Sequence, residues 1–563
     1  MEYLSVENTF TQTSKALIAP SSKIAQPKIG AIMNFHPDIW GNFFLDCIPD
    51  DEVTQAQKVK QMEELKEEVK RELEAHMPSK QLQFIDALQR LGIAYYFENE
   101  ITNALQEIYI GHAHGDDDLY YSSLRFRLLR QSGFYVSTDI FKKFRDKKGN
   151  FKESIIGDVM GMLSLYEASH LKVHGEEIMN EALKFATSHL QSIAIRPSDP
   201  LEVEVTHALK HPIYKNMEWL ESRWYIFVYE HNSSHNTTLL KLAKLNFNLL
   251  QSLHKKELHD LVRWWRRSNI INELPYVRDR VVEAYFFSLA MYYEPRYSRG
   301  RIAYTQLFKI ITLIDDTYDN CTTTIEDLEL FTEAIQRLDI NYANKLPNYM
   351  KIIYQFTLET LEEIEQDLAK DGRSFCINYT RDELKSLSRA YLQESRWASE
   401  NYTPTYEERL ENGIASSAVS CVLFASFLGM GEITTKESLE SIYKNFKAMK
   451  AACVIGRLKD DIGDYEVEHG REYVANAVKC YMKDYASSKE KAIEEICKLI
   501  DDAWMHITEE ILGPTTVPMP LLVRILNFSR SMETIYTDSD NYTVVGQAMK
   551  DYIKMLLIEP IHV

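Results

Sequence analysis

The 563 residues carry 83 acidic and 64 basic side chains, a formal net charge of −19. That charge excludes nucleic acid and anionic membrane surfaces as partners, because neither would be attracted. Only 20 glycines and 16 prolines in so long a chain, about half the usual share, predict an all-α protein with room for two helical domains.

The seven cysteines (Cys47, Cys321, Cys376, Cys421, Cys453, Cys480 and Cys497) are scattered. They read as reduced core thiols of an intracellular protein, not as a disulfide frame or a zinc site. No apolar run approaches the roughly 20 residues that span a bilayer, so no membrane insertion is expected. Residues 1–33 read as a loose Ser/Thr-rich tail that lacks arginine and keeps Glu2 and Glu7. This favours the cytosol over a plastid.

Asn34-Phe-His-Pro-Asp-Ile-Trp40-Gly41 marks the start of ordered structure. The pattern then predicts a helix from Asp51 to Met77 and further helices over 80–110 and 120–195. The Gly115–Asp118 run lies in a polar break and reads as a solvated loop or helix cap. No Asp-x-Asp-Asp pattern occurs in this half, and no chemistry is assigned to it. The polar stretch His231–Thr238 is the candidate boundary between a first domain, 34–232, and a second, 233–563. Helical pattern resumes from Leu239 to Leu253 and continues through Trp264 and Trp265.

The second half holds the charged constellation. Tyr276-Val-Arg278-Asp-Arg280 places two arginines just before a helix. A mostly apolar helix then ends in Asp315-Asp316-Thr-Tyr-Asp319. Asp315 and Asp319 share a face one turn apart, whereas Asp316 points roughly 100° away. Paired carboxylates repel unless a cation lies between them, and Mg²⁺ binds through one or two carboxylates while keeping positions for water and phosphate. Taken alone the motif is weak, because acidic clusters usually decorate solvated helix ends. A second apolar helix delivers Asp460, Asp464 and Glu468 at i, i+4 and i+8, a line along one face that a cation would relieve. Arg457 lies three residues before Asp460 on that face, and arginine forks suit phosphate oxygens. Pairing with the acids alone is the other reading. No Gly-rich phosphate loop occurs.

Together these motifs resemble the plant class I terpene synthases, in the sesquiterpene synthase branch, over essentially the whole chain beyond residue 33. The resemblance implies a catalytic C-terminal class I terpenoid synthase bundle and a catalytically silent N-terminal helical domain. It implies three Mg²⁺ ions, with Mn²⁺ as a substitute, that ionise a prenyl diphosphate. Asp315 and Asp319 would bind two ions with Asp316 in support, and Asp460, Asp464 and Glu468 the third. Arg278, Arg280 and Arg457 would hold the diphosphate. Tyr536, Asp540 and Tyr542 would form part of a lid. Ser416 and Ser417, in the stretch 412–418, would mark a helix break beside the pocket, and Phe287 would offer a wall. A monomer is expected.

Three departures from the family pattern stand out. Asp464 occupies a position usually held by Ser, Thr or Gly, which changes the charge at the third ion. Phe287 stands where Trp is frequent and offers a weaker π face. The paired arginines of many plastid monoterpene synthases are missing. The expected activity is cyclisation of farnesyl diphosphate to a mainly cyclic C15 product. The alternatives are a monoterpene or acyclic terpene alcohol synthase of the same fold, a prenyl-elongating synthase, and a helical scaffold with a dead site.

Overall fold

The computed structural model describes residues 38–46, 52–111, 118–193, 200–320, 322–444, 446–465, 475–537 and 540–563. Among them the protein is all-α, with one isolated bridge between Arg145 and Phe151 as its only extended pairing. The chain divides into two compact units: Lys58–Asn246 forms the body of one, and Phe247–His562 with the described part of Ile32–Gln57 forms the other. The division falls inside the Thr237–Arg267 helix, which opens just after the polar stretch at 231–236.

In the first unit, amphipathic helices close around an apolar core that also encloses buried ion pairs. Arg90 donates to Glu204 (3.0 Å) and Glu221 (3.2 Å), and Glu221 is also 2.8 Å from the His207 ring. Arg130, fully buried, pairs with Glu176. The expected helical run over 120–195 is interrupted: between Gln131 and Val159 only short 3₁₀ segments and the Arg145–Phe151 bridge form. Gly133 and Gly149, both at positive φ, turn the chain there. Asp118 is the N-cap of the Leu119–Gln131 helix and accepts from the Tyr121 amide at 2.7 Å, whereas 115–117 lie outside the described residues.

The second unit is built around the Val281–Met291 helix, every residue of which is buried. It packs on the Ser298–Tyr318 and Met519–Ile535 helices. The Lys447–Gly463 helix in turn packs on Lys489–Leu512 and Met519–Ile535. Trp40 anchors the N-terminal strap of this unit, its Nε1 donating to Glu283 Oε1 at 2.9 Å. Gly300 and Gly429 let two backbones touch: a Cβ at Gly429 would fall 2.1 Å from Gly300 Cα.

Two expectations need correction. Cys376, Cys421, Cys453 and Cys480 are buried free thiols, but Cys497 is exposed; Cys47 and Cys321 lie outside the described residues. The stretch Tyr406–Phe427 is long and apolar enough to span a bilayer. It is nevertheless two helices, Tyr406–Ser416 and Val419–Phe427, separated at Ala418 with φ +59°, and more than half of it is buried inside this unit.

Candidate active site

The arginine segment and the first acidic series form one hydrogen-bonded cluster. The Arg278 amide donates to Asp316 Oδ2 at 2.7 Å, and its Nε lies 2.6 Å from Asp316 Oδ1. Its Nη2 donates to Asp315, and its Nη1 to Thr543 Oγ1 at 2.9 Å. Burial alone would lower the Arg278 pKa, but Asp316 and Asp315 outweigh it and hold the group well above its ordinary value. Asp316 is buried and pushed up to about 6 by that burial, against the pull of Arg278. The 100° offset read from the sequence therefore separates two roles. Asp315 stays partly exposed at the helix end, and Asp316 turns inward to orient the guanidinium.

Lys309, absent from the sequence reading, fixes the same segment from below. It is fully buried on the Ser298–Tyr318 helix, donates to the Arg278 carbonyl at 2.7 Å and lies 4.4 Å over the Trp265 ring. Burial lowers its pKa to about 8. Arg280 is almost fully buried, with Nη1 on the Asp279 carbonyl (3.0 Å) and Nη2 3.4 Å from the Thr543 carbonyl. It thus grips the C-terminal segment.

The second series ends the Lys447–Gly463 helix, with Asp464 as its C-cap. Arg457 pairs with Asp460 and reaches Asp461 Oδ1 at 3.2 Å. Asp461 is buried and also accepts from Arg409 at 2.9 Å and from the Ala477 amide at 2.8 Å. Burial would raise its pKa, but Arg409 and Arg457 hold it below the ordinary value. Glu468 lies outside the described residues. Asp540, expected in the lid, meets this series: its carboxylate oxygen lies within 4.8 Å of those of Asp460 and Asp464. The Tyr542 and Thr543 amides donate to Asp540 Oδ1 at 2.8 and 3.1 Å, which fixes its direction. Tyr536 sits among Asp540, Asp464, Arg457 and Arg278, and burial, then Asp540, raises its phenol well above the ordinary range. The two acidic series therefore converge on one C-terminal segment.

Beside them stands an aromatic wall. The Phe287 ring lies 4.8 Å from Phe308 and meets Tyr542 edge-on at 5.6 Å, with Phe308 and Tyr542 5.2 Å apart. The Tyr542 and Thr312 hydroxyls share a 2.7 Å hydrogen bond. The helix break falls at Ser417 and Ala418: Ser417 Oγ donates to the Ile414 carbonyl at 2.9 Å, and Ser416 Oγ to Glu394 Oε1 at 2.6 Å. Glu394 was also missed by the sequence. It belongs to an ordinary amphipathic helix, Ile377–Ser399, one turn beyond Tyr391, whose phenol lies against Asp315.

Every donor in the Asp460–Asp464–Asp540 group is a carboxylate oxygen, the chemistry that a hard divalent cation such as Mg²⁺ selects. The residues present fit such an ion.

Comparison with known proteins agrees. The metal binding domain of the terpene synthase family matches residues 266–506, and the terpene synthase N-terminal domain matches 39–209. Valencene synthase of Vitis vinifera is 47% identical over 558 residues, 98% of this chain and all of that one. Sesquiterpene synthase 2 of Toona sinensis is 45% identical over 556 residues, covering 97% and 100% of the two chains. Among solved structures, isoprene synthase from grey poplar (Populus x canescens), in complex with three Mg²⁺ ions and dimethylallyl-S-thiolodiphosphate, superimposes with a TM-score of 0.84 at 34% identity, over 90% of this chain and 97% of that one. With nearly half its residues identical to a relative along almost its full length, and both family domains in place, this chain belongs to the terpene synthase family.

Proposed function

We propose that the protein is a sesquiterpene synthase that ionises farnesyl diphosphate and cyclises the resulting cation to a mainly cyclic C15 terpene. The observation that carries the chemistry is the meeting of the two acidic series, with Arg278 and Arg457, around the segment of Tyr536, Asp540 and Tyr542. The names of the relatives at 45% and 47% identity support the chain length.

In this reading Asp315 and Asp319 hold two Mg²⁺ ions, and Asp460, Asp464 and Glu468 the third, with Mn²⁺ as a substitute. When bound, the ions supply Lewis-acid stabilisation of charge on the leaving diphosphate. Arg278, oriented by Asp316 and Lys309, donates to diphosphate oxygens as the carbon–oxygen bond breaks and its electron pair departs with the diphosphate. Arg457 does the same from the other series. Arg280, clasping Thr543, keeps the C-terminal segment over the arginines. Phe287, Phe308 and Tyr542 face the allylic cation with π density and exclude water from it. The Tyr542 phenol, raised by burial, stays protonated and does not act as a base. The cation closes on its own double bonds, and loss of a proton to the released diphosphate, either from carbon or from a captured water, ends the sequence. The proposal includes a cytosolic, monomeric enzyme.

Gas chromatography with mass spectrometry of products from farnesyl and geranyl diphosphate, with Mg²⁺ and with chelator, tests this. A cyclic C15 product from farnesyl diphosphate, lost on chelation, is expected. Turnover of geranyl diphosphate alone would overturn the chain-length assignment, and turnover of neither would overturn the activity.

A further inference from the structure

The Tyr406–Ser416 helix ties the Ile377–Ser399 helix to the Lys447–Gly463 helix, which carries the second acidic series. Arg409, 4% exposed, donates from Nη1 to Glu394 Oε1 and from Nη2 to Asp461 Oδ1 at 2.9 Å. Glu394 lies one turn beyond Tyr391, which rests against Asp315 with Asp319 near it. Asp461 is the chain neighbour of Asp460 and shares Arg457 with it. Asn412 and Ser416 of the same helix also donate to Glu394 Oε1, at 3.3 and 2.6 Å. One short helix thus donates three times to Glu394 and once to Asp461, and among the described residues of that helix the Arg409 guanidinium holds both carboxylates.

We propose that Arg409 is a positioning residue that sets the spacing between the two acidic series, and with it the concentration of divalent metal the enzyme requires. A guanidinium is a planar, rigid fork whose two amino groups reach two carboxylates at a fixed separation; an ammonium is a point charge that cannot span them. It also shares Asp461 with Arg457, whose guanidinium is divided between Asp460 and Asp461. Groups that orient metal ligands in this way typically change metal affinity about 10- to 100-fold when replaced. The proposal rests on the reading of Asp315, Asp319, Asp460 and Asp464 as ligands.

The test uses the full-length protein and Arg409→Lys, titrated with Mn²⁺ in the presence of inorganic diphosphate and no prenyl substrate, with free Mn²⁺ followed by electron paramagnetic resonance. The Mg²⁺ dependence of turnover and the KM for farnesyl diphosphate at saturating Mg²⁺ are measured in parallel. We expect metal affinity to fall at least about tenfold while KM at saturating metal holds. Unchanged Mn²⁺ binding with a lowered Tm would reduce Arg409 to a structural role and overturn the proposal. Ser416→Ala, which removes one donor to Glu394, is the milder probe should the lysine variant fail to fold. It should weaken Mn²⁺ binding about threefold, the scale of one hydrogen bond, and no change would again count against the proposal. Wild-type protein that binds no Mn²⁺ with diphosphate would instead remove the ligand reading itself.

Discussion

Glu167 shows what burial does to a single carboxyl. It lies on the Val159–Ser169 helix of the first unit, 4% exposed, and accepts from the Ile213 amide at 2.9 Å. Burial pushes its pKa from 4.5 up to about 8, with Arg127 acting against the shift. Between those values the folded protein holds a proton that the unfolded chain has lost, so stability falls as pH rises through the window and the deficit is complete above it. Glu167→Gln keeps the acceptor and removes the titration. Calorimetry should find the variant more stable than wild type at about pH 9 and equal to it at about pH 4.5; an equal difference at both would sink the assignment. At this scale the sequence identified the acids at helix ends, because helical spacing alone sets which face Asp315, Asp319, Asp460 and Asp464 occupy. It was silent on Glu394, Lys309 and Arg409, whose neighbours in sequence are ordinary.

Among the elements, the Tyr406–Ser416 helix departs furthest from what its sequence shows. Thr405 and Glu408 form a capping box at its start, a signal read locally. Its effect at the other end depends on Gly413. A Cβ there would fall 2.8 Å from Arg457 Cδ and 3.0 Å from Cγ, so the missing side chain is the groove in which Arg457 lies. In an isolated helix Gly→Ala gains about 1 kcal/mol. Here Gly413→Ala should push Arg457 off Asp460 and lower turnover by about tenfold or more, since displacement of order 1 Å at a reacting centre costs up to about 10²-fold. The far-ultraviolet circular dichroism should stay that of wild type. Full turnover in the variant would show that the groove does not position Arg457. Sequence placed the break near 412–418, but the left-handed residue is Ala418 rather than a glycine, a choice that packing and not propensity makes.

On the scale of the whole molecule, the proposed metal ligands and the C-terminal segment belong to distant parts of one chain, so ligand binding should stabilise the second unit as a body. Anything that binds only the folded state adds RT ln(1 + [L]/Kd), about 2.7 kcal/mol at a hundredfold excess over Kd. Thermal unfolding with Mg²⁺ and inorganic diphosphate together should therefore shift upward by several degrees, and chelator should abolish the shift. Equal Tm values with and without Mg²⁺ would contradict a metal-held diphosphate.

The sequence by itself determined the helical class, the three charged motifs and their resemblance to one family, because each is written in spacings of three to eight residues that the helix converts directly into faces. Only the tertiary structure decided which of those faces meet. Arg278 and Thr543 are 265 residues apart, and Asp540 joins Asp460 and Asp464 from a non-helical segment whose direction is set by the amides of Tyr542 and Thr543. Arg409 bridges helices that periodicity treats as independent. Such contacts depend on how buried apolar faces stack and where each chain segment returns, and no local pattern encodes that.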